Sequence, residues 1–455
     1  MSLHALPRLE TARPHRAPRA RTASVWREPI RQAFAVVALL VTVQAVYLLV
    51  LGQGTEDTSS LAVQFPLLAV YLVVAVLLAL QPRRTVDAIA RTSPAVLALL
   101  ALALVSYAWS SNQGATFRRG YVLLGTFAVG WWFASTFDRR KQVQLVAIAT
   151  VVAGFLSILT VLLVPSLGLE ADLRGTAWQG VFTTKNTLGR FAAFGVIVSL
   201  LAVTTTKALL SRLFFGAGAV MLVVVVVRSQ AKIALVAVPA CLGVLALVRV
   251  IRSRSSSAPA LVMLLGAGLI VVALLFVLNY DAILAELGRD AQLTSRATLW
   301  SSTWRAAQDH LWLGYGYGGF WNGWNQPSTI VAFENPWGPP HAHNGVLEML
   351  LNLGVTGVAL FVAALVDVTR RALRLPRTRP VVDAMWPVTL VVFMVLFNVT
   401  EVTLLTTFFF AAMLVAVSVD EPRPAVAAVA AVAPMPATRG RGRRPSALQP
   451  AGARP

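Results

Sequence analysis

Long apolar runs alternate with short polar segments along most of the chain. They fall near residues 34–51, 61–80, 94–109, 120–136, 143–164, 187–205, 213–227, 233–248, 259–278, 346–366, 384–399 and 402–419. Many approach the ~20 residues a helix needs to cross a bilayer. The pattern predicts an all-α polytopic membrane protein of about twelve transmembrane helices over residues 33–420. Residues 1–32 hold seven Arg and precede an apolar run without a small-residue cleavage site, so a retained, disordered cytoplasmic tail is expected rather than a removable signal. Residues 421–455, rich in Pro, Ala and Arg, read as a second such tail.

Composition agrees with this pattern. Of 455 residues 57% are hydrophobic and 13% charged, against about 25% charged in soluble domains. The net charge of +20 suggests nucleic acid at first sight. Its distribution argues otherwise, because basic residues lie in short clusters between apolar runs. Of the 39 Lys and Arg, 29 fall on alternate segments that include both tails, and positive-inside bias makes those segments cytoplasmic. The lone cysteine, Cys241, rules out an intrachain disulfide and a Cys-based metal site.

Ten cations remain on the outer side: Arg118, Arg119, Arg174, Lys185, Arg190, Arg228, Lys232, Arg289, Arg296 and Arg305. Each is either a lipid-headgroup anchor or a ligand for an anionic substrate. The chain has only four Lys, and two of them, Lys185 and Lys232, stand in this group, as suits a point contact to phosphate. Glu56 and Asp57, in the first outer loop, read as solvated residues.

One outer loop, residues 279–343, is too long for a plain connection and holds six of the twelve Trp. Arg296, Trp300 and Trp304 recur at four-residue spacing, predicting a helix from Thr294 to about Gln308 capped by Thr294 or Ser295. The Gly-rich run from Trp312 to Trp324 then holds aromatic rings on turns, either as a belt at the lipid interface or as a platform for sugar rings. The loop closes on His341-Ala342-His343-Asn344. Two histidines at this spacing suggest a metal, but no acidic or Cys residue stands beside them in sequence, and a general base for a sugar hydroxyl is the stronger reading. Glu348, five residues beyond His343, is given a packing or polar-network role.

His343-Asn344 followed after nine residues by Gly354 and then Gly357 resembles the signature of the O-antigen ligase and Wzy-type polymerase superfamily. SRATLW (Ser295–Trp300), the LGYGYGGF stretch, Lys232 in RSQAKIAL and Glu401 in NVTEVTL are similar to further family features, over about residues 106–418. GVFTTKNTLGR (Gly180–Arg190) resembles the exopolysaccharide-polymerase branch, with Thr184 where that branch often has His.

The resemblance implies a GT-C-like membrane glycosyltransferase on the outer face of the bacterial cytoplasmic membrane. It would take a glycan from a polyprenyl (undecaprenyl) pyrophosphate carrier and join it to a glycan or lipid acceptor, with inversion, no cofactor and no metal. In that chemistry Arg296 and Lys232 clamp the pyrophosphate and His343 activates the acceptor hydroxyl. Lys185, Asn186, Arg190, Arg118, Arg119, Asn344, Glu401, Trp300 and His341 are expected to support donor or acceptor binding. Glu401 is expected to pair with one of the cations. A polymerase is slightly favoured over a ligase. A transporter or flippase is the alternative of another class, disfavoured by the lack of an internal repeat.

Overall fold

The computed structural model describes residues 27–45, 61–172, 175–253, 291–322, 325–403 and 407–420, all within one compact unit, Met1–Asp420. The expected span at 259–278, the first outer loop with Glu56 and Asp57, Arg174, Arg289, Trp324, the far C-terminal tail and the first 26 residues lie outside them.

In chain order the helices longer than four residues are α1 (Arg27–Val43), α2 (Leu61–Ala79), α3 (Pro82–Arg91), α4 (Pro94–Val105), α5 (Gln113–Thr136), α6 (Arg139–Leu163), α7 (Lys185–Val203), α8 (Leu209–Ser229), α9 (Lys232–Arg252), α10 (Ala291–Asp309), α11 (Thr329–Glu334), α12 (Gly345–Leu373), α13 (Val381–Phe397) and α14 (Phe408–Ser418). Between α6 and α7 lies an antiparallel hairpin, β1 (Leu169–Asp172) and β2 (Gly175–Trp178), pairing Leu169 with Trp178. The all-α expectation is corrected there.

Local chemistry starts these helices. Asn112 accepts from Ala115 N–H, Asp138 from Lys141 N–H and Thr184 from Thr187 N–H, satisfying donors that a first helical turn leaves open. Thr184 therefore has a capping role at the position where the branch it resembles often has His. Residues 27–32, expected in the N-terminal tail, form the start of α1, steadied by a Gln32 to Glu28 hydrogen bond.

Among the described residues five helices are long and apolar enough to cross a membrane: α6, α7, α8, α9 and α12. A sixth span arises if α2 and α3, bent by 103°, count as one. The expected runs at 94–109, 384–399 and 402–419 become shorter apolar helices, and α14 has only 11 residues. The protein is polytopic and mostly helical, with fewer full-length spans described than the twelve expected. Apolarity marks where a segment can be buried, whereas helix length depends on where the backbone turns.

An aromatic cluster ties α7, α13 and α14 together: Phe194 packs on Phe393 at 4.8 Å and on Phe410 at 5.3 Å, and Phe191 stacks on Phe410 at 5.5 Å. Contacts of Asn112 with Asn322, Asn186 with Glu401, Gly189 with Ser229 and Gly345 with Asn398 gather the starts of α5, α7, α9 and α12 at one end of the bundle. The Gly-rich loop lies at that end. Tyr317 N–H donates to Ser106 Oγ and Trp109 Nε1 to Leu313 O, fastening the loop to the end of α4. At the opposite end Arg139, buried, donates to the carbonyls of Ala416, Val417 and Val419 as α14 finishes.

Candidate active site

The His341–Asn344 segment is built backwards from α12. Asn344 is extended and caps that helix, its Oδ1 accepting from Val346 N–H at 2.9 Å and Leu347 N–H at 3.1 Å. His343, just before it, has φ +45°. A left-handed His costs about 1–2 kcal/mol and persists only where its neighbours impose it. His343 N–H donates to His341 Nδ1 at 3.1 Å, which leaves the His341 proton on Nε2. Burial, then the neighbouring His343, lowers His341 to about 3; Arg190 and Arg296 act in the same direction and Glu401 opposes them. His341 is therefore neutral at physiological pH.

The turn between α13 and α14 brings in Glu401. Asn398 holds this turn to α12, accepting Gly345 N–H on its carbonyl at 2.8 Å and Thr403 N–H on Oδ1 at 3.1 Å. The Glu401 carboxylate, 8% exposed, takes Arg296 Nη2 at 3.1 Å and Asn186 Nδ2 at 3.2 Å on Oε1. Its Oε2 faces His343 Nδ1 at 3.6 Å, too far for a hydrogen bond, and that buried Nδ1 has no hydrogen-bond partner among the described residues. Burial would raise this carboxyl, but His343, His341 and Arg296 overcome it and hold Glu401 at about 2. Arg190, buried, donates Nη1 to Val402 O at 2.9 Å, and its Nε lacks a hydrogen-bond partner among the described residues.

Five sequence-predicted residues thus meet around Glu401: His343, His341, Arg296, Asn186 and Arg190. Asn344 holds the same turn by donating Nδ2 to Val399 O. The donor atoms of His341, His343 and Glu401 lie within 4.8 Å of one another, so tertiary structure supplies the third ligand that sequence neighbours did not. Arg296 competes for that carboxylate from the same pocket, which disfavours a second cation there.

The remaining residues flank this centre. Lys232 is half-buried at the start of α9. Its turn lies on α7 because Gly189 lets it approach: a β-carbon at Gly189 would sit 2.7 Å from Ser229 Oγ. Lys185, buried, opens α7 with its N–H on Glu170 Oε2 at 2.6 Å, so the hairpin steadies that end. Arg118 and Arg119 are exposed on α5, and the Arg119 stem packs beneath Gly318 in the Gly-rich loop.

The loop helix begins at Ala291, so Thr294 and Ser295 lie inside it and the expected cap is corrected. Trp300 donates Nε1 to Ala342 O at 3.1 Å, while Trp304, Trp312 and Trp337 are exposed. Trp337 stands 5.7 Å from the His343 ring, a neighbour that side-chain spacing did not single out.

Residues 217–362 match the family model described as O-antigen ligase. The matched stretch, 146 of the 455 residues, is similar to that family. It includes Lys232, Arg296, His341, His343, Asn344, Gly354 and Gly357, whereas Asn186, Arg190 and Glu401 lie outside it. The chain is also similar to the exopolysaccharide production protein ExoQ of Rhizobium meliloti (strain 1021), 24% identical over 280 residues, which cover 60% of this chain and 63% of that protein. The match thus spans less than two thirds of the relative's length.

Proposed function

We propose that the protein is an inverting membrane glycosyltransferase that moves a glycan from a polyprenyl pyrophosphate carrier to an acceptor hydroxyl during exopolysaccharide assembly. The observation that carries this reading is the convergence of Arg296, Asn186 and His343 on the buried Glu401. The Glu401 charge beside Nδ1 favours the ring proton on that nitrogen and leaves Nε2 to receive a second. The acceptor O–H loses its proton to Nε2 as its oxygen bonds to the anomeric carbon. The bond from that carbon to the pyrophosphate oxygen breaks, and its electron pair leaves with the pyrophosphate. Attack opposite the leaving group inverts the carbon.

Charge grows on the pyrophosphate as the bond breaks. Arg296 gives one nitrogen to Glu401 and keeps further N–H groups for phosphate oxygens. Arg190 and Lys232 supply additional positive charge at the same end of the bundle. This chemistry runs without a nucleotide or metal. Basic-residue bias supports cytoplasmic termini and a site on the outer face of the cytoplasmic membrane.

The test is transfer from polyprenyl-pyrophosphate oligosaccharide by the purified protein in detergent, with chelator present. Lengthened carrier-linked chains mark the favoured polymerase, glycan on a separate lipid or protein marks a ligase, and no transfer sinks the proposal. His343→Ala is expected to lose about two to four decades of rate. Arg296→Lys is expected to be crippled as well, because the planar fork is lost. Full activity of either variant refutes its assigned role. A transporter would move the glycan only between two compartments.

A further inference from the structure

We propose that Glu348 is a positioning residue, holding the His341–His343 turn so that His343 faces Glu401; this rests on His343 being the base. Glu348 lies in the first turn of α12, 1% exposed. Its Oε2 accepts Ala342 N–H at 2.9 Å, its Oε1 accepts Asn352 Nδ2 at 2.9 Å, and Trp321 Nε1 lies 3.1 and 3.0 Å from the two oxygens. Every one of these partners is a donor. An ionised carboxylate accepts on both oxygens, whereas an amide would turn an NH2 toward one of the N–H groups.

Ala342 is the residue on which this arrangement closes. Glu348 holds its N–H and Trp300 holds its carbonyl, while its methyl is fully buried. On the far side, Asn344 is fixed by the α12 cap and by Val399 O. His343 is a single left-handed residue between these two anchors, so its backbone has one conformation that satisfies both. Asn352 extends the support: its Oδ1 accepts Gly318 N–H, and Gly318 rests on the Arg119 stem. A buried carboxylate is costly in an apolar helix, and an apolar side chain would fill the space without that cost. What the carboxylate adds is the fixed peptide preceding the proposed base.

The test uses the purified full-length protein in detergent, comparing Glu348→Gln and Glu348→Asp in the parent and in a His343→Gln background. Glu348→Gln is expected to lower kcat about ten- to hundredfold, as misplacement of a reacting group by about 1 Å does, with donor KM within about twofold. Glu348→Asp is expected to recover part of that loss. In the His343→Gln background the same change is expected to cost nothing further, because Glu348 acts through His343. An equal fold loss in both backgrounds marks a merely structural residue and overturns the proposal, as does an unchanged kcat.

Should Glu348→Gln fail to fold, Trp321→Phe removes one donor and leaves the carboxylate; it is expected to lose about three- to tenfold, again only when His343 is present. The imidazole 15N resonance of His343, identified by its loss in His343→Gln, supplies a readout independent of turnover. If His343→Gln stays active, the base assignment falls, and a His343 resonance shifted by Glu348→Gln still upholds Glu348 as its positioning residue. An unmoved resonance removes that support too.

Discussion

Arg296 of the loop helix and Glu401 of the turn after α13 meet at 3.1 Å, their side chains only 19% and 8% exposed. This contact fastens the large loop to the helix ends that carry Asn186 and His343. Both partners are mostly removed from water, so losing one leaves the other costly.

Glu401→Gln and Arg296→Gln are each expected to reduce transfer by at least tenfold, and the double variant to lose less than the product of the two. A double-mutant cycle on initial rates, with unfolding midpoints in parallel, measures the coupling, expected at about 1–3 kcal/mol. Strict additivity would show that the contact contributes nothing.

Acid is expected to destabilise the protein in two stages. His341 has an ordinary value of 6.5 and is held near 3, so the unfolded chain takes up its proton first and stability falls as pH drops from 6.5 toward 3. Glu401, ordinarily 4.5 and held near 2, contributes stability that is present above 4.5 and lost as pH falls through 2. Unfolding midpoints in detergent should therefore decline below pH 6.5. His341→Gln should flatten the decline between 6.5 and 4.5; an unaltered slope there would contradict the burial of a neutral His341.

Gly354 interrupts α12 with φ +65° and ψ −165°, and a β-carbon there would run into the Trp312 carbonyl. Gly354→Ala is expected to cost about 1–3 kcal/mol of stability through strain alone, with the displaced loop adding to it. Thermal unfolding and yield of folded protein read this out. An Ala variant as stable as the parent would mean that the kink is dispensable.

At the opposite end, Arg139 closes α14 by donating to three carbonyls. Arg139→Ala leaves those acceptors buried and unmet, with an expected cost of about 2–5 kcal/mol. Turnover per folded molecule should be unchanged, since Arg139 lies far from Glu401. A fall in kcat with normal stability would place it in the chemistry instead.

Much of the site was legible because short motifs carry their own geometry. Lys185 opens a helix as read, the Arg296 helix spans Ala291–Asp309 where Thr294 to about Gln308 was expected, and the glycines at 314, 316 and 318 have positive φ. Glu401 was expected to pair with a cation, but sequence could not say which. Glu348 was harder to place. Five residues from His343, it is no face-mate of that side chain, and its connection runs through the backbone N–H of Ala342.

Membrane character, helix starts such as Lys185 and the family resemblance were encoded locally, because apolar runs, caps and short spacings act over a few residues. Tertiary structure decided how far each apolar segment extends as helix, that His343 is left-handed, and that Arg296, Asn186 and His343 share one carboxylate. These depend on desolvation and on contacts between segments distant along the chain, which no local pattern encodes.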